Sequence, residues 1–238
     1  MKLKPSSFKL TRRTKYFWLR LFFTLFVLAI GYTELQTTPP PSTFRPQTIA
    51  ISSPAGQVLN LLPIKGRAPK TGYERELFSN GWDTVETCDI RNLVLARDLT
   101  DVIFVPNTCK VASGVLNDPY TGNMITFERG QSTSDDVQID HVVALSDAWQ
   151  KGAQSLSPEI RHSFANDPLN LLAVDGNANQ QKADSDAATW LPKNKSYRCP
   201  YVARQIAVKH KYSLWITQAE QEAMINILKQ CPEQTLPL

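Results

Sequence analysis

No Cys-x-x-Cys pair and no internal repeat occur in this 238-residue chain. The first absence sets cysteine-based metal ligation aside, and the second excludes a repeat architecture. The one long apolar run, Leu21 to Ile30, is shorter than the roughly 20 residues a comfortable membrane span needs. Acidic residues are missing before residue 32, where Lys2, Lys4, Lys9, Arg12, Arg13, Lys15 and Arg20 supply seven positive charges. Removing those seven from the 26 basic residues leaves 19 against 22 acidic ones, a net charge of −3 for the remainder. The overall basicity therefore belongs to the N-terminus and is no nucleic-acid footprint of the globular part.

The chain opens on that basic stretch, followed by the apolar run and by Ala29 and Gly31 in an A-x-G arrangement. A secretory signal peptide and an uncleaved membrane anchor starting near Phe17 both fit residues 1–32. Either one delivers the remainder outside the cytoplasm, because the positive flank stays inside. A buried core helix is the plain alternative, and the seven flanking charges speak against it. Residues 33–55, with Pro39-Pro40-Pro41 and Ser52-Ser53-Pro54, are stiff and polar without a periodic apolar face, the composition of a linker. Residues 56–238 are long enough for one domain with a substantial core. Cys88, Cys109, Cys199 and Cys231 are an even set in a chain that looks exported, which favours disulfides over metal binding. Three connectivities exist, and sequence proximity favours Cys88 with Cys109.

Within the domain, Val58, Leu59, Leu61 and Leu62 predict a short helix and residues 73–78 a helical turn. Strands are expected over 102–105, 110–116 and 123–127, with Asp118-Pro119-Tyr120-Thr121-Gly122 as the turn between the last two. A further strand starts at Val137. Helices are expected over 146–154, from the Ser157-Pro158 start, and over 178–185, with a strand over 168–175 between the last two. Pro200 to His210 and a helix opened by the Thr217–Glu220 capping box predict a C-terminal hairpin. Met224, Ile227, Leu228 and Cys231 then form one buried stripe. If the two helices are antiparallel, Cys199 lies near Cys231.

Chemistry accumulates around Gln138-Ile139-Asp140-His141-Val142-Val143-Ala144-Leu145. Strand neighbours point to opposite faces, so Asp140 and His141 can serve one site only if the strand ends and bends there. A purely structural histidine is the plain reading of such a pair taken alone. Asn170 on the next strand and Asn179 and Lys182 on the helix after it add partners in a strand–strand–helix order. With Asn166-Asp167-Pro168-Leu169-Asn170-Leu171 and Asn177-Ala178-Asn179-Gln180-Gln181-Lys182, this combination resembles the HNH, or ββα-metal (His-Me finger), nucleases. It is most similar to the nuclease domain of GmrSD-like modification-dependent restriction enzymes and its secreted bacterial relatives. Further echoes are the Asp118–Gly122 turn, Trp190-Leu191-Pro192, Cys199 and Tyr201-Val202. The resemblance spans about residues 70–231.

The resemblance implies an α+β fold, a small antiparallel sheet carrying the ββα site, wrapped by helices and a C-terminal helical hairpin. It implies a metal-dependent endonuclease that hydrolyses phosphodiester bonds of nucleic acid, DNA before RNA. His141 would take the proton of the attacking water, and Asn170 would orient it. Asp140 and Asn179 would hold one divalent ion, Mg²⁺ or Mn²⁺, through hard oxygen donors. Asn179 stands where such motifs often end in histidine, which favours Mg²⁺ over Zn²⁺; Ala144 replaces a common proline at a non-catalytic position. Lys182 either contacts the scissile phosphate or solvates its helix. Arg75, Arg91, Arg161, Lys193 and Lys195 are candidate phosphate contacts, with surface solubility the alternative for each. Asp175 and Asp184 would either touch the ligating residues or cap the helix, while His162, His210, Trp82, Trp190 and Trp215 read as structural. No obligate protein partner is evident, and a membrane is involved only through residues 1–32. Two other functions fit less well: a non-catalytic extracytoplasmic DNA-binding or uptake protein, and a phosphodiesterase of small nucleotides or polar lipids.

Overall fold

A computed structural model of the chain describes residues 12–37 and 53–237, with side chains in the first stretch described for residues 15–27. The start of the expected targeting segment and most of the expected linker lie outside the described residues. Two units are present, Met1–Thr48 and Ile49–Leu238. In the first, helix α1 (Arg12–Thr37) leaves apolar side chains such as Phe22 and Phe23 facing solvent. It continues past residue 33, where the linker was expected to begin. No helix among the described residues is long and apolar enough to cross a membrane.

The second unit is α+β. Helix α2 (Pro54–Leu59) starts earlier than the leucine pattern predicts, because Ser53 caps it by accepting from Gly56 N–H and Pro54 pre-sets the first turn. A hairpin of β1 (Thr84–Val85) and β2 (Cys88–Asp89), with helix α3 (Ile90–Asp98) behind it, occupies a stretch whose mixed charges concealed both elements. Asp89 caps α3 through Asn92 N–H. Strands β3 (Thr100–Phe104), β4 (Val111–Asn117) and β5 (Met124–Glu128) form one antiparallel sheet. Strand β6 (Val137–His141) pairs instead with β7 (Leu171–Asp175), so three small antiparallel sheets replace the single one expected. The turn-rich segment 129–136 carries the chain away from β5, and other elements cover both faces of the β6–β7 ribbon.

That double covering positions the site. Val137, Ile139, Leu171 and Ala173 enter a core shared with α3 and β4. Leu172 and Val174 enter the opposite core, beneath helices α7 (Arg198–Lys211) and α8 (Gln218–Leu228). Strand β7 is therefore apolar along its length instead of alternating. Helix α4 (Leu145–Gln150) is shorter than expected: Gly152, at φ +123°, breaks it before a 3-10 turn at Ala153–Ser155. Helix α5 (Pro158–Asn166) is capped by Ser157. Both halves of the expected capping box at Thr217 and Glu220 are formed. The two expected disulfides form as well, Cys88–Cys109 and Cys199–Cys231, the second closing the α7–α8 hairpin.

Helix α6 (Gly176–Lys182) follows β7 with no loop, and Asp175 caps it by accepting from Ala178 N–H. Gly176 is required there because a Cβ would lie 2.1 Å from the Asp135 carbonyl oxygen. Gly176→Ala must push backbone apart and is expected to cost about 1–3 kcal/mol and to displace the helix that carries Asn179. Chemical denaturation checks this; an unchanged midpoint contradicts it.

Candidate active site

Strand β6 ends at His141, and Asn170 shapes the bend that follows. Its side chain grips Val143 on both sides: Oδ1 accepts from Val143 N–H at 2.8 Å and Nδ2 donates to Val143 O at 3.2 Å. Its own carbonyl accepts from Val142 N–H. The bend brings Asp140 and His141 to one cleft despite their opposite strand faces, with Gln138, Asn179 and Ser146 beside them. The cleft measures about 460 Å³, within the usual range for ligand pockets.

His141 is oriented by a group with no sequence signature. Its Nε2 lies 2.8 Å from the backbone carbonyl of Ala165, at the end of α5. A carbonyl only accepts, so Nε2 carries the proton and Nδ1 keeps its lone pair. Asn170, the expected orienter, does not touch the imidazole and acts on the backbone after it. Burial lowers the His141 pKa to about 4, the Ala165 bond opposing and Arg75 and Lys182 adding to the effect. The ring is a neutral base at ordinary pH.

Asp140 is buried and accepts two hydrogen bonds. Lys182 Nζ donates to Oδ1 at 2.9 Å and to the His141 carbonyl at 2.9 Å, while the Tyr120 hydroxyl donates to Oδ2. Lys182 is fully buried, so it neither solvates its helix nor reaches out toward a substrate phosphate in this conformation; it is the counter-charge of Asp140. Burial raises the Asp140 pKa, with Lys182 and Tyr120 opposing. Burial and the Asp140 charge hold the Tyr120 hydroxyl well above its ordinary pKa, so it remains a donor. Tyr120 packs edge-on against Trp190 and Tyr201 at 4.9 and 5.7 Å. Asp118 fastens its turn to the β7–α6 junction by accepting from Asp175 N–H.

Asn179 donates through Nδ2 to Gln138 Oε1 at 2.9 Å, a bond that does not use its amide oxygen. No group of three or more His, Cys, Asp or Glu side chains suited to a metal exists among the described residues. The donors at the cleft are one carboxylate, already bonded by Lys182 and Tyr120, and one amide oxygen, both hard donors of the kind that Mg²⁺-like ions accept.

Arg75 and Arg91 line the cleft. Arg161 does not: it donates to the carbonyls of Leu77 and Leu156 and stacks 5.7 Å from the Trp149 ring, a packing role. Lys193 and Lys195 are not cleft residues either. His162 pairs with Asp83 at 2.8 Å, and Asp184 accepts from Ser146 and Lys70. Three site residues escaped sequence reasoning. Tyr120 was visible only as part of a turn, Trp82 reads as core by composition, and the Ala165 carbonyl leaves no trace in a sequence.

No solved structure matches the chain. A protein of Arthroderma benhamiae, described as an uncharacterized secreted protein, is 39% identical over 212 residues, covering 88% of this chain and 99% of the relative. Residues 89–227, which contain Tyr120, the whole β6–β7–α6 segment and α7, match the family model of the GmrSD restriction endonucleases, C-terminal domain, and the chain belongs to that nuclease family.

Proposed function

We propose that the protein is an extracytoplasmic, metal-dependent endonuclease of the HNH (ββα-metal) type that hydrolyses phosphodiester bonds of DNA. The observation that carries this reading is the state of His141, a neutral imidazole whose Nε2 proton is tied to Ala165 while Nδ1 is left as the base, beside a carboxylate and an amide oxygen in an open cleft. Family membership supports nucleic acid as substrate. The basic and apolar N-terminus, the two disulfides and the secreted relative support action outside the cytoplasm.

In this mechanism His141 Nδ1 takes a proton from water as the water oxygen attacks phosphorus, the P–O bond to the leaving oxygen breaks and that oxygen is protonated by solvent, and the Ala165 carbonyl stabilises the imidazolium through Nε2–H. Asp140 and Asn179 would hold one Mg²⁺ or Mn²⁺ ion, which supplies charge neutralisation at the phosphate and at the leaving oxygen. Tyr120 and Lys182 keep the Asp140 carboxylate in place. Arg75 and Arg91 receive phosphates from the strand on either side.

The test is cleavage of plasmid DNA and of RNA by the full chain with Mg²⁺, with Mn²⁺ and with a chelator, alongside Asp140→Asn. DNA cleavage that needs the ion and is lost in Asp140→Asn is expected. A protein that cuts neither polymer with any divalent ion is no endonuclease, and a non-catalytic binding role then replaces this reading.

A further inference from the structure

One wall of the cleft comes from residues 73–82, before the segment that matches the family model. Trp82 on that wall is half-buried and lies nearly parallel to the His141 imidazole, 13° between planes and 5.8 Å between ring centres. Rings in face-to-face contact sit about 3.5–4 Å apart, so this is an offset stack that covers only part of the indole. Trp82 lines both the main cleft and a smaller cavity of about 90 Å³ that adjoins it at His141. Its position is fixed by its neighbour: Asp83 N–H donates to Asn166 Oδ1 at 3.1 Å, Asp83 O accepts from Ile90 N–H at 2.8 Å, and the Asp83 carboxylate holds His162. Arg75 stands on both walls that Trp82 occupies. Arg91 donates to the Ser134 and Val137 carbonyls, each at 3.1 Å, and pairs with no carboxylate among the described residues.

A rigid, partly uncovered aromatic face flanked by two cations is the arrangement that binds single strands, the cations following phosphates while a base stacks on the ring. In an intact duplex no base face is available beside the scissile phosphate, because every base is stacked within the helix. Resting on the nuclease reading, we propose that Trp82 is a stacking platform for one unstacked nucleobase next to the cut phosphate. The site then selects single-stranded or locally opened nucleic acid over closed duplex.

The experiment uses the full chain in chelator, so that binding is read without cleavage, with a short oligothymidylate and a blunt closed hairpin as probes. The oligothymidylate is expected to quench a tryptophan emission component that is absent from Trp82→Phe. Trp82→Leu should weaken its binding about tenfold or more, leaving hairpin affinity unchanged, and Trp82→Phe should retain most of it. In the presence of metal, Trp82→Leu should raise KM for single strands more than it lowers kcat. If Trp82 only shields His141, kcat falls equally on both substrates and neither binding nor emission responds, which overturns the proposal; equal loss of both probes also overturns it. Quenching without cleavage supports the platform while refuting the nuclease reading, so the two failures are distinguishable. Should Trp82→Leu not fold, the Trp82→Phe emission difference still decides.

Discussion

Replacing His141 with alanine is expected to lower DNA cleavage by about 10²–10⁴-fold, the usual contribution of a positioned general base. Binding of nucleic acid in metal-free buffer should persist, because Arg75 and Arg91 remain in the cleft. Burial keeps the imidazole neutral, with a pKa of about 4, and the Ala165 carbonyl fixes which nitrogen carries the proton. Alanine removes the base and leaves a ring-sized space beside Trp82, so added imidazole should restore part of the rate. Cleavage assays with and without imidazole measure both effects. A variant that cuts at the wild-type rate eliminates His141 as the base and returns it to a structural role.

The second large effect concerns stability. Lys151 and Lys209 are completely buried, and they are surrounded by Asp147, Asp186 and Glu220. Lys151 lies 2.6–2.8 Å from all three carboxylates, and Lys209 bonds Asp147 and Glu220. Arg67 adds a partly exposed cation to Asp147 and Asp186. The network joins α4, the segment after α6, α7 and α8. Lys209→Met keeps the side chain's length but removes one of the two buried cations facing Asp147 and Glu220, so Lys151 and the partly exposed Arg67 are left to balance three carboxylates. A loss of about 3–5 kcal/mol is expected, the cost of removing one partner from a buried ion-pair network and leaving it with an uncompensated negative charge. Adding Glu220→Gln to that variant should recover part of the loss. Urea unfolding of the two variants measures this; a Lys209→Met protein as stable as wild type would show the network to be dispensable. The same charges set the acid limb. Burial disfavours the charged form of Asp186, but Lys151, then Arg67 and Lys209, outweigh it and hold the pKa down to about 2. The unfolded chain therefore takes up this proton first, so the stabilisation is complete above about pH 4 and disappears as pH falls toward 2.

Sequence alone determined a good deal about this protein. Asp140-His141 on a short apolar run, Asn170 on the strand expected over 168–175 and Asn179 on the following helix stand in the order in which β6, β7 and α6 present them, although β7 itself begins one residue after Asn170. Local rules account for that: an acid at a helix start, a serine or threonine cap and a glycine at a tight junction act within a few residues, as Asp175, Thr217 and Gly176 show. The C-terminal hairpin and its disulfide followed from helical periodicity for the same reason.

Tertiary structure decided the rest, because each remaining feature is a contact between distant parts of the chain. Tyr120 reaches Asp140 across 20 residues and Lys182 reaches it across 42, and neither side chain announces its partner. Lysine is normally a surface residue, so the burial of Lys182, Lys151 and Lys209 becomes visible only once the carboxylates around them are in place. The orienting group for His141 is a peptide carbonyl, which every residue possesses and no sequence marks. Trp82 reads as core by composition; only the packing of the β1–β2 hairpin region against α5, through Asp83 and Asn166, turns its indole toward the imidazole.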